Sequence, residues 1–107
     1  MQLVPLSPAA NLGIGAVYTS QVMDMSVTNL AVGTLTAQVL GDQASAANGV
    51  KILASKDNVT FFTIAQAALV ANTLLTLTAA IVFRYYKVQI TNGGTAQTTL
   101  TAGASVN

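Results

Sequence analysis

Asp24, Asp42 and Asp57 are the side chains on which acid–base catalysis or a hard-cation site would have to be built, because the chain has no Glu, His or Cys. Either chemistry needs several oxygens brought together. Asp42 follows Gly41 and Asp57 precedes Asn58, contexts in which an Asp side chain bonds its own downstream backbone. Asp24 falls on the more polar face of a strand. The three are therefore read as turn and surface residues. Ser55, Thr60 and the other hydroxyls have no base to activate them as nucleophiles. The Gly13-Ile14-Gly15 and Gly93-Gly94 pairs do not open a helix, which a phosphate-binding loop requires. Tyr18, Tyr85, Phe61 and Phe62 could stack on a sugar, but without Trp and with few charged partners their ordinary use is core packing or subunit contact. Arg84, beside Tyr85 and Tyr86, is suited to stack on a ring or to pair with a carboxylate across a strand. These residues imply no catalytic group, no metal ligand and no cofactor.

Four basic and three acidic residues among 107 amount to 7% charge and a net charge of +1, against about 25% charged in an ordinary soluble domain. Four scattered cations cannot neutralise the row of phosphates that nucleic-acid affinity depends on. The length suits one domain. Mean hydropathy is +0.60, and Val59 to Phe83 carries no charge. That run nevertheless holds Thr60, Thr63, Gln66, Asn72, Thr73, Thr76 and Thr78, and Thr-Leu alternation favours strand over a spanning helix. No membrane span is expected. The first residues have no basic cluster ahead of an apolar run, so a secretory signal is not expected either.

The elements that must carry these residues are short strands with turn signals about every ten residues, the pattern of an all-β sandwich or barrel. Pro5, Pro8, Gly13 and Gly15 make residues 1–16 an irregular N-terminal arm, ordered mainly by touching another subunit. Residues 17–107 form the single domain. The first strand, Val17 to Val27, puts Val17, Thr19, Met23, Met25 and Val27 on one face, with Gln21 and Val22 as exceptions. A second runs from about Leu30 to Leu40. Val50 to Ala54 and Thr60 to Ile64 form a hairpin through Ser55-Lys56-Asp57-Asn58. Gln66 to Ala71 is loop, and a fifth strand covers Thr73 to Ala79. In Arg84 to Thr91, Tyr86, Val88 and Ile90 point inward by strict alternation. Asn92-Gly93 is the two-residue hairpin signal, with positive φ at one or both positions, leading to a last strand at Ala96 to Thr101 and a tail from Ala102.

The run from Phe83 to Leu100, with Arg84, Asn92, Gly93, Thr95, Ala96, Gln97, Thr98 and Thr99 in matching places, resembles the ending of small β-sandwich proteins found among the virion genes of tailed bacteriophages. Leu53 to Phe61 and Tyr18 to Asp24 are similar to that group's hairpin and opening strand. The departures are Asn58 in place of a glycine and Phe61 or Phe62 in place of a tryptophan. The resemblance implies a virion component assembled in the host cytoplasm.

The surplus of apolar, Thr and Ala surface implies cover by copies or partners. The sequence is therefore read as an all-β, jelly-roll-like sandwich of about seven antiparallel strands. Its expected role is non-enzymatic: a capsid decoration (cement) subunit whose partners are the major capsid protein or other virion proteins and its own copies, with neither nucleic acid nor membrane. Pro5, Pro8, Tyr18, Arg84 and Tyr85 are the expected interface residues, and Asn92 and Gly93 the structural turn. The alternatives are a tail or fibre accessory protein, a carbohydrate-binding module, and a self-assembling filament subunit in which one chain's arm completes its neighbour's sheet.

Overall fold

The computed structural model describes residues 2–25 and 33–106. Nine strands occur among them: β1 (Gln2–Pro5), β2 (Val17–Thr19), β3 (Met23–Asp24), β4 (Thr34–Leu40), β5 (Ser45–Ser55), β6 (Phe62–Ala67), β7 (Leu75–Ala80), β8 (Tyr85–Asn92) and β9 (Thr101–Val106). All pairings are antiparallel. A four-stranded sheet has the order β1-β9-β4-β7, and a five-stranded one the order β2-β8-β5-β6 with β3 also on β8. The chain is an all-β two-sheet sandwich, as expected, with no helix among the described residues.

Alternation builds the core. Tyr86, Val88 and Ile90 on β8, Val50, Ile52 and Ala54 on β5, Leu35, Ala37 and Val39 on β4, and Ala104 and Val106 on β9 all point between the sheets and are buried. Tyr86 brings a hydroxyl into this layer and satisfies it fully. It donates to the Ala80 carbonyl at 3.0 Å and accepts from the Val82 and Phe83 amides at 2.8 and 3.1 Å, so the β7–β8 loop is fastened from inside.

The expected arm is instead part of the sandwich. Gln2–Pro5 pairs with Gly103–Val106, and Leu6 and Leu12 are buried in the common core. Pro5 is accommodated because β1 is an edge strand, where a proline without an N–H is tolerated, and Pro8 lies beyond the strand. The expected C-terminal tail is strand β9, lying between β1 and β4.

The expected first strand is broken. Met23 and Met25 are buried as foreseen, but Val17 and Thr19 are exposed while Tyr18 packs on the core. Ser20 causes the change of face. Its amide donates to the Val88 carbonyl at 2.8 Å and its hydroxyl accepts from the Val88 amide at 2.9 Å. A side chain thus replaces one backbone carbonyl in the ladder, and β2 and β3 run along β8 out of phase. Val27 and the start of the expected second strand lie outside the described residues.

Nor is Asn92-Gly93 a tight hairpin. Positive φ occurs at Asn48, Asn58, Asn72 and Gly15 among the described residues, not at 92 or 93, and the expected strand at 96–101 is largely loop. Asn92 ends β8 in one sheet, and the chain then crosses to β9 in the other. Gly93 is required by close packing instead: a Cβ there would lie 2.9 Å from the Ala44 carbonyl oxygen, whereas Gly94 has open space.

Two outcomes follow for denaturant titration. Leu12→Ala should cost about 2–5 kcal/mol, and removing residues 2–12 should abolish the cooperative transition. Gly93→Ala should cost on the order of 1–3 kcal/mol through overpacking, with Gly94→Ala near neutral.

Candidate interaction surface

The three carboxylates occupy three separate places, and each supports the local fold. Asp57 Oδ1 accepts from the Val59 and Thr60 amides and from the Ser55 hydroxyl, at 2.8 to 3.0 Å. With Asn58 at φ 61°, these bonds close the β5–β6 hairpin as expected. They hold the Asp57 carboxyl at about 2, below its ordinary 3.8, the Val59 amide being the largest cause. Asp42 accepts from the Thr98 hydroxyl and from the Thr98 and Thr99 amides, which lower its pKa well below the usual range. Asp24 receives two bonds from Arg84, both 3.1 Å, and the Arg84 guanidinium lies 4.9 Å from the Tyr85 ring centre. Arg84 thus both pairs and stacks. Among the described residues no cluster of ligating side chains could hold a metal ion.

Buried amides, not charges, join the loops at the Asn92 end of β8. The Asn92 side-chain nitrogen lies 2.9–3.0 Å from the carbonyls of Leu12, Gly13 and Thr95. Gln97 Nε2 donates to Asn92 Oδ1 at 3.0 Å and to the Gln43 carbonyl at 2.7 Å, while its Oε1 accepts from the Gln43 amide. Both side chains are almost fully buried. The role of Gln97 was not foreseen, since an isolated Gln among threonines has no spacing that marks it as buried.

The expected interface residues do not make one patch. Pro5 lies on β1, and Tyr18 faces the core with its hydroxyl accepting from the Ser7 amide at 2.9 Å, near the half-buried Pro8. Tyr85 opens β8 and points to the outer face of the five-stranded sheet, with Arg84 just before it in the β7–β8 loop.

What the structure does bring together is a surface without charge. Six of the seven charged residues lie in the five-stranded sheet or next to its strands and hairpin, and Asp42 lies in the β4–β5 loop; β1, β4, β7 and β9 contain none. Cross-strand partners share a face, so register gives the outward rows of the four-stranded sheet. Leu3, Ser105, Thr36 and Thr78 form one, and Pro5, Gly103, Gln38 and Thr76 the next. Thr101 and Leu40 begin a third, beside the exposed Leu74. A shallow depression of about 200 Å³ lies there, lined by Gln38, Leu40, Leu74, Thr101, Ala102 and Gly103. The other sheet presents Lys51, Lys87, Gln89, Tyr85 and Asp24 outward, with the Lys87 ammonium 4.1 Å above the Phe61 ring. Register places Leu53 beside Lys87 on that outer face, where it is nonetheless 9% exposed. The uncharged run from Val59 to Phe83 supplies the edge strands β6 and β7, and among the described residues no helix is long and apolar enough to cross a membrane.

The sequence profile of a family described as the uncharacterised protein YqxG N-terminal domain matches residues 7–107. The fold is similar to that in the crystal structure of the PBSX exported protein XepA, with a TM-score of 0.85 at 20% identity over 99% of this chain. The chain spans 37% of XepA's length. No curated protein matches.

Two measurements probe the geometry. Gln97→Ala leaves Asn92 Oδ1 and the Gln43 amide and carbonyl without their side-chain partner and should cost about 2–4 kcal/mol. Because the folded pKa of Asp57 is depressed, its contribution is complete above the ordinary value of 3.8 and is lost as pH falls toward about 2. In an acid titration, Asp57→Asn should therefore lower stability at neutral pH and flatten its dependence between those values.

Proposed function

The chain belongs to the YqxG N-terminal domain family, and on that premise we propose that it is a non-enzymatic structural subunit of a bacteriophage or phage-like particle. Its finer assignment is a capsid decoration subunit that packs its four-stranded sheet against the shell and neighbouring copies. The observation that carries this reading is the segregation of charge: a whole sheet face built of Thr, Ser, Gln, Gly, Ala, Pro and Leu, with every charged side chain elsewhere. Such a face can lose water against a neighbour at ~25 cal/mol per Å² of apolar area without desolvating an ion. Its footprint of four strands by about six residues is roughly 20 Å square, so each contact is modest and repetition over a lattice supplies the affinity. The motif resemblance to virion β-sandwiches supports the setting, as does the fold shared with an exported protein of the phage-like element PBSX.

The alternatives have less support. A glycan module needs open aromatic faces, yet Lys87 covers the Phe61 ring and Arg84 stacks on Tyr85. A filament that borrows its neighbour's arm lacks a donor, because β1 already completes its own sheet.

Self-association of the purified chain at micromolar concentration, followed by sedimentation at roughly 0.1 and 1 M salt where screening lengths differ about threefold, should be nearly unchanged. Thr76→Lys with Thr78→Lys should weaken association about tenfold or more, since an unpaired charge would have to be buried, while Lys51→Ser on the other sheet should not. A monomer insensitive to the threonine changes would overturn the assignment, as would association that needs Lys51 and fails at high salt.

A further inference from the structure

The chain has two Asn-Gly dipeptides, Asn48-Gly49 and Asn92-Gly93, and among the described residues three asparagines have left-handed backbone, Asn48, Asn58 and Asn72. Asn48 alone belongs to both sets. It sits where β5 leaves the ladder: Ser45 pairs with Asn92 and Val50 with Ile90, so residues 46–49 bulge opposite Thr91 alone. Two separate requirements meet there. The bulge takes φ 52° at position 48, which Asn tolerates better than most residues. At position 49 a Cβ would lie 2.5 Å from the Thr91 carbonyl oxygen, 2.8 Å from that of Ala46 and 2.9 Å from Ser45 Oγ, so only glycine fits.

We propose that Asn48 is a site of spontaneous deamidation, and that the fold favours this lability by placing a residue that must tolerate left-handed backbone directly before a position where only glycine fits. The Gly49 main-chain nitrogen gives its proton to solvent base and attacks Asn48 Cγ. A C–N bond forms, the bond from Cγ to the side-chain nitrogen breaks, and ammonia leaves with a proton from water. Water then opens the five-membered imide at either carbonyl, giving aspartate or isoaspartate. A side chain on the following residue obstructs this attack. Asn58 and Asn72 are followed by the β-branched Val59 and Thr73, while Gly49 offers no obstruction. The exposed Asn48 side chain is open to water. Asn92 has the same unobstructed neighbour but is 2% exposed, with its nitrogen engaged by three carbonyls and its oxygen by Gln97. Either product adds a carboxylate beside Gly49 and takes the formal net charge from +1 to zero. The isoaspartyl form also inserts a methylene into a main chain packed against Thr91.

The test is peptide mapping by mass spectrometry of the purified full chain, incubated at mildly alkaline pH and physiological temperature. Residue 48 should convert to a mixture of aspartate and isoaspartate about tenfold or more faster than residue 92, which reacts only from locally opened molecules. In denaturant, Asn92 should approach the rate of Asn48 while Asn58 and Asn72 stay slow. Asn48→Gly, which keeps the left-handed backbone, should abolish the conversion and leave the melting temperature unchanged. Equal rates at 48 and 92 in the folded chain would overturn the proposal, as would an intact Asn48 in folded protein whose unfolded form converts.

Discussion

The hydrogen bonds between the buried amides of Asn92 and Gln97 hold together three segments that no strand ladder joins. One amide nitrogen secures the N-terminal segment at Leu12 and Gly13, the other secures the β4–β5 loop at Gln43, and the two side chains bond to each other. The Leu12 and Gly13 carbonyls also accept from the Gln97 and Ala16 amides, so the side chains add a second tie to segments the backbone already brings together, and removing them would leave the buried partner amide short of its hydrogen bonds. Neutral amides suit this place because each donates and accepts at once, whereas a charged group would need a counter-ion that this chain hardly possesses.

Economy of charge continues outward from there. Asp42 and Asp57 are spent on loop backbone and Asp24 on Arg84, while Lys87 lies over a ring, so most of the few ions present have an internal partner. The remainder of the surface is left to hydroxyls, small residues and isolated aliphatics. Exposed aliphatics such as Val59 and Val82, each at least 73% accessible, are scattered singly on the other elements. On the four-stranded sheet Leu3 and Leu40 instead sit within rows of threonine and serine, and that arrangement makes one continuous face without charge.

The sequence made the centre of the fold readable and left its periphery obscure, for physical reasons. Strand β8 is central, lined on both sides by partners, and its period-two pattern is unbroken, so Tyr86, Val88 and Ile90 could be placed inward from spacing alone. The Ser55–Asn58 hairpin was readable because Asp and Ser act on their own neighbours. Asn92-Gly93 misled because the same dipeptide serves a reversed turn or a buried amide with a close backbone contact, and only tertiary context separates the two. Strand β9, Thr-Ala-Gly-Ala-Ser-Val, has weak strand propensity and owes its conformation to partners on both flanks. Pro5 and Pro8 concealed β1, since an edge strand tolerates what a central one does not. The phase change at Ser20 had one visible trace, the Gln21 and Val22 exceptions. The uncharged face was latent in the sequence, but assembling it needed the register of four strands distant along the chain.

The position of β9 has a consequence for the order of events during synthesis. Because β9 lies between β1 and β4, the ninth strand in chain order is interior to its sheet, and β1 has no partner in that sheet until residues 103–106 have left the ribosome. The five-stranded sheet has all its strands by residue 92 and can assemble earlier, apart from the partners that Gln97 and the Thr95 carbonyl provide. For that interval the Leu35, Ala37 and Val39 face of β4 has β7 alone beside it. Closure therefore pairs residues 2–5 with residues 103–106, the kind of long-range step that makes β-sandwiches slow to fold and exposes their unpaired edges to other nascent chains.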